Sequence, residues 1–344
     1  MRDQFGRTIE YMRVSVTDRC NLRCVYCMPA GGVPCVSHED ILSYDEITKI
    51  CRIGADLGIS RIKLTGGEPL VRRGLPELLG MINGIKGIEQ VTLTTNGILL
   101  KEKMSELAAN GLASVNISID TLDEGRYEKI TRGGRLREAL AGMEAALSCP
   151  SVQVRVNCVP MREIPASDYI RIARLAEDRN IDVRFIEMMP VGHGKAFAAV
   201  SGGEITDMLR QEFGEVSECT GRTGNGPAVY VRFPGFKGRI GFIDAISHQF
   251  CGTCNRVRLT SEGFLKPCLQ YGEGTDLKRL VRSGAPDETV RSEMQRVIYR
   301  KPACHHFTDG IYDNERKSGR EEDDTRDKDG EEMLETRDMS QIGG

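Results

Sequence analysis

The chain has 344 residues and a mass of 38.1 kDa, with 40% apolar and 28% charged residues, enough for one large or two ordinary globular domains. No uncharged apolar run approaches the ~18 residues a membrane span requires, so no membrane partner is expected; a net charge of −3 argues against nucleic acid as a partner, since that expects a basic face. The first eight residues carry Arg2, Asp3 and Arg7 without an apolar stretch, so no secretory leader is expected and the expected compartment is the cytoplasm.

Six short runs rich in Val, Ile and Thr, at 12–17, 61–65, 91–95, 114–119, 152–159 and 182–188, predict strands. Helical spacing lies between them. In the first case Ile47, Ile50, Gly54 and Leu57 recur every three or four residues, Asp45 and Glu46 occupy the first turn and Gly58 is the stop. Similar patterns start at Pro76, Lys101, Leu136 and Asp168. Alternating strands and helices without a hairpin signal predict parallel strands and right-handed crossovers. Six such units fit a doubly wound sheet or an incomplete (β/α) barrel, and spacing leaves both open. After residue 192 Gly and Pro become frequent, and the β-like runs at 228–233 and 239–245 predict a smaller α+β region. Residues 313–332 then hold ten acidic and five basic side chains, a local net of −5 that leaves the rest of the chain at +2. That run is expected to be a solvated linker, followed by a short terminal peptide, 339–344.

Twelve cysteines stand out, and six fall in two tight groups: Cys20, Cys24 and Cys27, then Cys251, Cys254 and Cys268. In a reducing compartment grouped thiols read as metal ligands. The first group, Cys-x3-Cys-x2-Cys, follows the first predicted strand, at the carboxyl end where parallel α/β folds place their sites. Three close thiolates can hold three irons of a [4Fe–4S] cube and leave the fourth open. A structural zinc wants four ligands, and only His38 lies near. Gly66-Gly67-Glu68-Pro69 follows the second strand; two glycines let a ligand approach the backbone, and the Glu offers an anion to an ammonium group. The second group, Cys251-x2-Cys254-x13-Cys268, reads as part of a zinc ribbon or as a second cluster, with His248 and Cys304 as candidate fourth ligands.

The run Val14-Ser15-Val16-Thr17-Asp18-Arg19-Cys20-Asn21-Leu22-Arg23-Cys24-Val25-Tyr26-Cys27-Met28-Pro29 resembles the radical S-adenosylmethionine enzymes. More narrowly, it resembles their GTP 3′,8-cyclase family, which begins molybdenum-cofactor synthesis. The likeness continues through Thr65–Leu70, residues 93–97, 116–120 and 185–187, the second cysteine group with Arg256 and Arg258, and the terminal Gly343-Gly344. It implies an incomplete (β/α)6 barrel over 1–195, a smaller C-terminal α+β domain with a second [4Fe–4S] cluster and the GTP site over 196–310, a charged linker over 311–338 and a tail over 339–344.

By the same resemblance Cys20, Cys24 and Cys27 hold the first cluster, and Tyr26, Gly67, Ser118 and Met189 contact S-adenosylmethionine. Cys251, Cys254 and Cys268 hold the second cluster. Arg13, Lys63, Thr94, Arg155, Arg256 and Arg258 contact GTP, and Arg256, Arg258, Gly343 and Gly344 take a catalytic part. No Gly-x4-Gly-Lys-Ser/Thr motif is present, so a triphosphate must be held by side chains, for which Arg forks are suited. Arg256 and Arg258, two apart on a predicted strand, share one face. Arg155 stands where the family more often has Lys, and the charged run is about twenty residues beyond the family's usual length. The resemblance also implies a reduced flavodoxin- or ferredoxin-type electron donor, cyclic pyranopterin monophosphate synthase as the next enzyme, and a homodimer as candidate assembly. The rival expectations are a peptide-modifying radical enzyme with an auxiliary cluster, and a non-catalytic metal-binding module.

Overall fold

The computed structural model describes residues 1–219, 224–307 and 334–343. β1 (Tyr11–Ser15) leads through the first cysteine loop to α1 (Tyr44–Asp56), where Ser43 and Glu46 form a reciprocal capping box, and then to β2 (Arg61–Thr65). α2 (Leu75–Asn83), β3 (Gln90–Thr95), α3 (Leu100–Ala109) and β4 (Ser114–Ser118) continue the alternation. Two helices, α4 (Glu124–Thr131) and α5 (Leu136–Leu147), precede β5 (Gln153–Cys158), and α6 (Ala166–Ala173) precedes β6 (Asp182–Ile186). The short α4 was not expected, because its turn carries Gly125 and buries little beyond Tyr127 and Ile130; Asp123 caps it through the Arg126 amide at 2.8 Å.

β1 to β6 stand side by side in chain order, each parallel to the next. A doubly wound sheet would reverse its order at a switch point, and this one does not. Side chains from all six strands border one cavity, so the sheet curls around it as an open barrel wall. The period of two sorts the strands into faces. Met12, Val14, Ile62, Leu64, Val91, Leu93, Val115, Ile117, Val154, Val156, Val183 and Phe185 are at most 2% exposed in the apolar core. Their neighbours Arg13, Lys63, Thr94, Asn116, Arg155 and Arg184 face the cavity.

The later residues supply α7 (Gly202–Phe213), β7 (Ser217–Glu218), β8 (Val229–Arg232), β9 (Arg239–Ile243), β10 (Arg256–Leu259), β11 (Phe264–Lys266), β12 (Thr275–Asp276), α8 (Leu277–Arg282), α9 (Asp287–Tyr299) and α10 (Met339–Ile342). The expected smaller α+β region builds no sheet of its own. β10 pairs parallel with β1 and β9 parallel with β6; β11–β12 and β8–β7 add antiparallel strands outside them, giving one twelve-stranded sheet among the described residues. α8 and α9 pack against α1. The charged run 313–332 and Gly344 lie outside the described residues. No described helix is long and apolar enough to cross a membrane.

Arg7 fastens the start of the chain to the Cys251 turn and to residues 302–303. Its Nε pairs with Asp3 Oδ2 at 2.6 Å, Nη1 donates to the carbonyls of Cys251 and Ala303 at 2.8 and 2.9 Å, and Nη2 donates to that of Pro302 at 2.6 Å. Removing one member of a buried pair strands the other charge. Arg7→Met should therefore lower unfolding stability by about 3–5 kcal/mol in urea titration. A loss under about 1 kcal/mol, the size of an ordinary hydrogen bond, would show that the clamp is not what holds these segments together.

Candidate active site

The first cysteine loop leaves β1 and turns tightly, with the Cys27 amide donating to the Cys24 carbonyl at 2.9 Å and the Leu22 amide to the Cys20 thiol at 3.3 Å. Cys20, Cys24 and Cys27 border the same end of the cavity. Burial pushes Cys20 up to about 11 and Cys27 to about 12, and Cys24 higher than its usual value with its thiol neighbours adding to the effect. Such thiols stay protonated unless a cation stabilises their ionised form, which a bound metal does.

Gly66 and Gly67 were expected to admit a ligand to the backbone; both border the cavity, and the structure gives them a further task. A Cβ on Gly66 would lie 2.5 Å from the Thr17 carbonyl oxygen, and one on Gly67 would lie 2.4 Å from that of Arg19. Their missing side chains let the β2 turn lie directly on the cysteine loop, where Gly67 and Glu68 amides donate to Thr17 and Arg19 carbonyls, each at 2.8 Å. Glu68 is likewise engaged: its carboxylate accepts from the Leu70 amide (3.0 Å), the Thr95 hydroxyl (2.7 Å) and the Asn96 amide (2.7 Å), and burial raises it to about 7. It still borders the cavity beside Gly67, Ser118 and Met189. The Tyr26 hydroxyl donates to Asp120 at 2.6 Å, and burial lifts Asp120 to about 6.

Deeper in the cavity, of about 290 Å³, six cations converge: Arg13, Lys63, Arg155, Arg184, Arg256 and Arg258, with Thr94 and Asn116 between them. Register explains the convergence, because Arg13 sits opposite both Lys63 and Arg258, and Asn116 opposite Thr94 and Arg155. Burial, then the charges of Arg184, Arg13, Arg155 and Arg256, hold Lys63 well below its ordinary value. Arg155 already donates to Ser114 (2.9 Å) and Gln153 and lies 3.5 Å from Asp182. Arg184 was missed in the sequence. Its signal was present, since Asp182-Val183-Arg184 carries the same period-two alternation as Arg256-Val257-Arg258; it donates to Asn157 Oδ1 at 3.0 and 2.6 Å.

Cys251 and Cys254 sit in one tight turn before β10, and Cys268 follows β11. Burial opposes ionisation of Cys254, but Arg256 and Lys301 outweigh it and bring the thiol down to about 6. Of the two candidate fourth ligands, His248 is 82% exposed and faces Asp244 at 4.0 Å, whereas Cys304 lies within electrostatic reach of Cys251 and 3.7 Å from His306. His38 is exposed. The tail completes the site: Met339 and Ser340 border the cavity, and the Gly343 carbonyl accepts from Arg258 at 3.2 Å. Gly343 has φ +74°, and a Cβ there would meet the Ser15 side chain at 2.7 Å.

Among the described residues no three His, Cys, Asp or Glu side chains converge on a single metal-ion position. Three thiols of one loop lining one cavity are nonetheless the donor type and number for a [4Fe–4S] cube with one open iron, and the adjoining polar rim suits a charged organic cofactor. Residues 14–176 match the Radical SAM superfamily, and residues 181–307 match Molybdenum Cofactor Synthesis C. The chain is 44% identical over 307 residues to a GTP 3′,8-cyclase of Clostridium perfringens (strain 13 / Type A), covering 89% of this chain and 95% of that protein. It is 42% identical over 321 residues to one of Pelotomaculum thermopropionicum, covering 92% and 99%. In three dimensions it is similar to Streptococcus suis SuiB bound to precursor peptide SuiA, with TM-score 0.59 and 15% identity over 87% of this chain and 66% of that one. That likeness shows the fold alone.

Fold and cysteine loop together define a radical S-adenosylmethionine protein. Its relatives over nine-tenths of the chain narrow this further: the chain belongs to the GTP 3′,8-cyclase family.

The glycine contacts make a direct forecast. Gly67→Ala forces the cysteine loop off the β2 turn, and overpacking of this kind costs roughly 1–3 kcal/mol. Urea unfolding of the metal-free chain should read that loss; unchanged stability would show that the loop moves aside freely.

Proposed function

We propose that this chain converts GTP to (8S)-3′,8-cyclo-7,8-dihydroguanosine 5′-triphosphate, the first committed chemistry of molybdenum-cofactor synthesis. One observation carries the reading: a three-thiol loop and six converging cations share a single cavity. Cys20, Cys24 and Cys27 would hold the first cluster, and Tyr26, Gly67, Ser118 and Met189 would contact S-adenosylmethionine. When bound, this pair supplies a carbon radical able to remove a ribose hydrogen atom.

The remaining work belongs to the chain. Arg13, Lys63, Thr94, Arg155, Arg256 and Arg258, joined by Arg184, hold the polyanion, and their fixed directions on six neighbouring strands orient the ribose toward the thiol end. The curled sheet excludes water from a reactive carbon centre. Cys251, Cys254 and Cys268 are assigned a second [4Fe–4S] cluster, at which the purine base is received. Gly343 and Gly344 close the polar end with Arg256 and Arg258. Electrons come from a reduced flavodoxin- or ferredoxin-type protein, and cyclic pyranopterin monophosphate synthase takes the product. The setting is the cytoplasm and the assembly a homodimer.

Anaerobic reconstitution with S-adenosylmethionine and GTP, followed by product identification, tests the whole reading. About eight irons per chain are expected, four for each cube, and Cys24→Ala should lose about half of them together with formation of 5′-deoxyadenosine. Cys268→Ala should lose a similar share but keep S-adenosylmethionine cleavage. Zinc at either triad would overturn the reading.

Lys63 gives an independent check. An arriving triphosphate raises the pKa that burial and like charges have lowered, so binding takes up a proton and weakens as pH rises. Calorimetry of GTP binding in two buffers of different ionisation enthalpy should show unequal heats, and Lys63→Met should make them equal. Equal heats in the parent chain would remove Lys63 from the anion site.

A further inference from the structure

β4 presents Ser114, Asn116 and Ser118 to the cavity, with Val115 and Ile117 in the core behind them. Ser114 stands at the amino end of the strand, where its hydroxyl accepts from Arg155 at 2.9 Å. Ser118 stands at the carboxyl end, the end at which the cysteine loop leaves the parallel β1. Two residues of strand rise ~7 Å, so Asn116 lies midway between the anion end and the thiol end. It is 1% exposed. Its Nδ2 donates to Thr94 Oγ1 at 3.2 Å, and its Oδ1 is buried with no hydrogen-bond partner among the described residues.

A free buried acceptor is unexpected here, because the cavity is rich in donors. Arg155 lies opposite Asn116 in the ladder, yet its guanidinium is spent on Ser114 and Gln153. Arg and Lys donate hydrogen bonds and accept none, so a ligand hydroxyl cannot be received by the cations themselves. The other side-chain oxygens nearby are engaged. Asn157 Oδ1 accepts twice from Arg184, Asp120 accepts from the Tyr26 hydroxyl and the Val159 amide, and Glu68 accepts from three donors. We infer that Asn116 is a specificity-determining residue whose Oδ1 accepts a hydrogen bond from a ribose hydroxyl of the nucleotide, while Thr94 holds the amide plane. The inference rests on the reading of this cavity as the GTP site and deepens it. A polyanion receptor alone does not tell a ribonucleotide from a deoxyribonucleotide; a buried acceptor does, since an analogue without the hydroxyl leaves that oxygen unpaired.

The test is equilibrium dialysis of the full chain, anaerobically reconstituted and without S-adenosylmethionine, against GTP and its 2′-deoxy and 3′-deoxy forms. The parent chain should bind one deoxy form about tenfold more weakly than GTP, and which form it is identifies the hydroxyl. Asn116→Leu deletes the acceptor at nearly constant volume and should bind GTP and that deoxy form equally. Asn116→Ala adds no apolar bulk beside the cations and serves the same purpose where Asn116→Leu does not fold; iron content equal to that of the parent marks a folded variant. A merely structural role for Asn116 would weaken all the nucleotides in proportion and keep the tenfold ratio. A parent chain indifferent to both deoxy forms, or a ratio retained in a folded variant, overturns the inference and leaves the GTP site standing. A parent chain that binds no GTP overturns the reading of the site and the inference with it.

Discussion

Five guanidinium charges and the Lys63 amine share one sheltered cavity and oppose one another's ionisation, and the architecture is a solution to that repulsion. Each of Arg13, Lys63, Arg155, Arg184, Arg256 and Arg258 stands on its own strand position, held there by ladder hydrogen bonds and by an apolar outer face that cannot rotate inward without losing its burial. Partial relief comes from Asp182 beside Arg155, Asn157 on Arg184 and the Gly343 carbonyl on Arg258. What remains is a receptor in which a polyanion replaces repulsion with attraction, so selectivity for such a ligand is a property of the sheet and not of any one loop.

The same economy governs the thiol end. The cysteine loop is long, and its amides and carbonyls are secured by the Gly66-Gly67 turn and by the Ile130 and Thr131 carbonyls at the end of α4. Arg7 does for the second triad what the glycines do for the first, binding the Cys251 turn to residues 302–303 from a position near the start of the chain. Both triads therefore depend on distant segments for their geometry.

Local chemistry was legible in the sequence, and long-range neighbours were not. The cysteine spacings, the strand runs and the shared face of Arg256 and Arg258 each depend on residues within a few positions, and each lies where expected. The sheet order was not accessible, because parallel pairing of β10 with β1 and of β9 with β6 leaves no trace in the spacing of either strand. The smaller C-terminal region was legible in the change of composition and has its own family match over 181–307; that its strands join the barrel wall was not. The glycines of 66–67 show the limit most clearly. The sequence demanded a close approach there, but could not say that the protein's own backbone is among the approaching groups. Arg184 was readable and was overlooked, since its strand was read for type and not for the face each side chain takes.

Pairing of β1 with β10 also bears on how the molecule is made. Tyr11 leaves the ribosome long before its partner Arg256, and at ~5–20 residues per second the interval is on the order of tens of seconds. Throughout it one edge of β1 is an unpaired template for foreign strands, and the first triad is already translated while the Cys251 turn does not yet exist. The first cysteine loop is thus complete before the second exists, and a nascent chain stalled between them would carry a half-built wall around an exposed thiol loop.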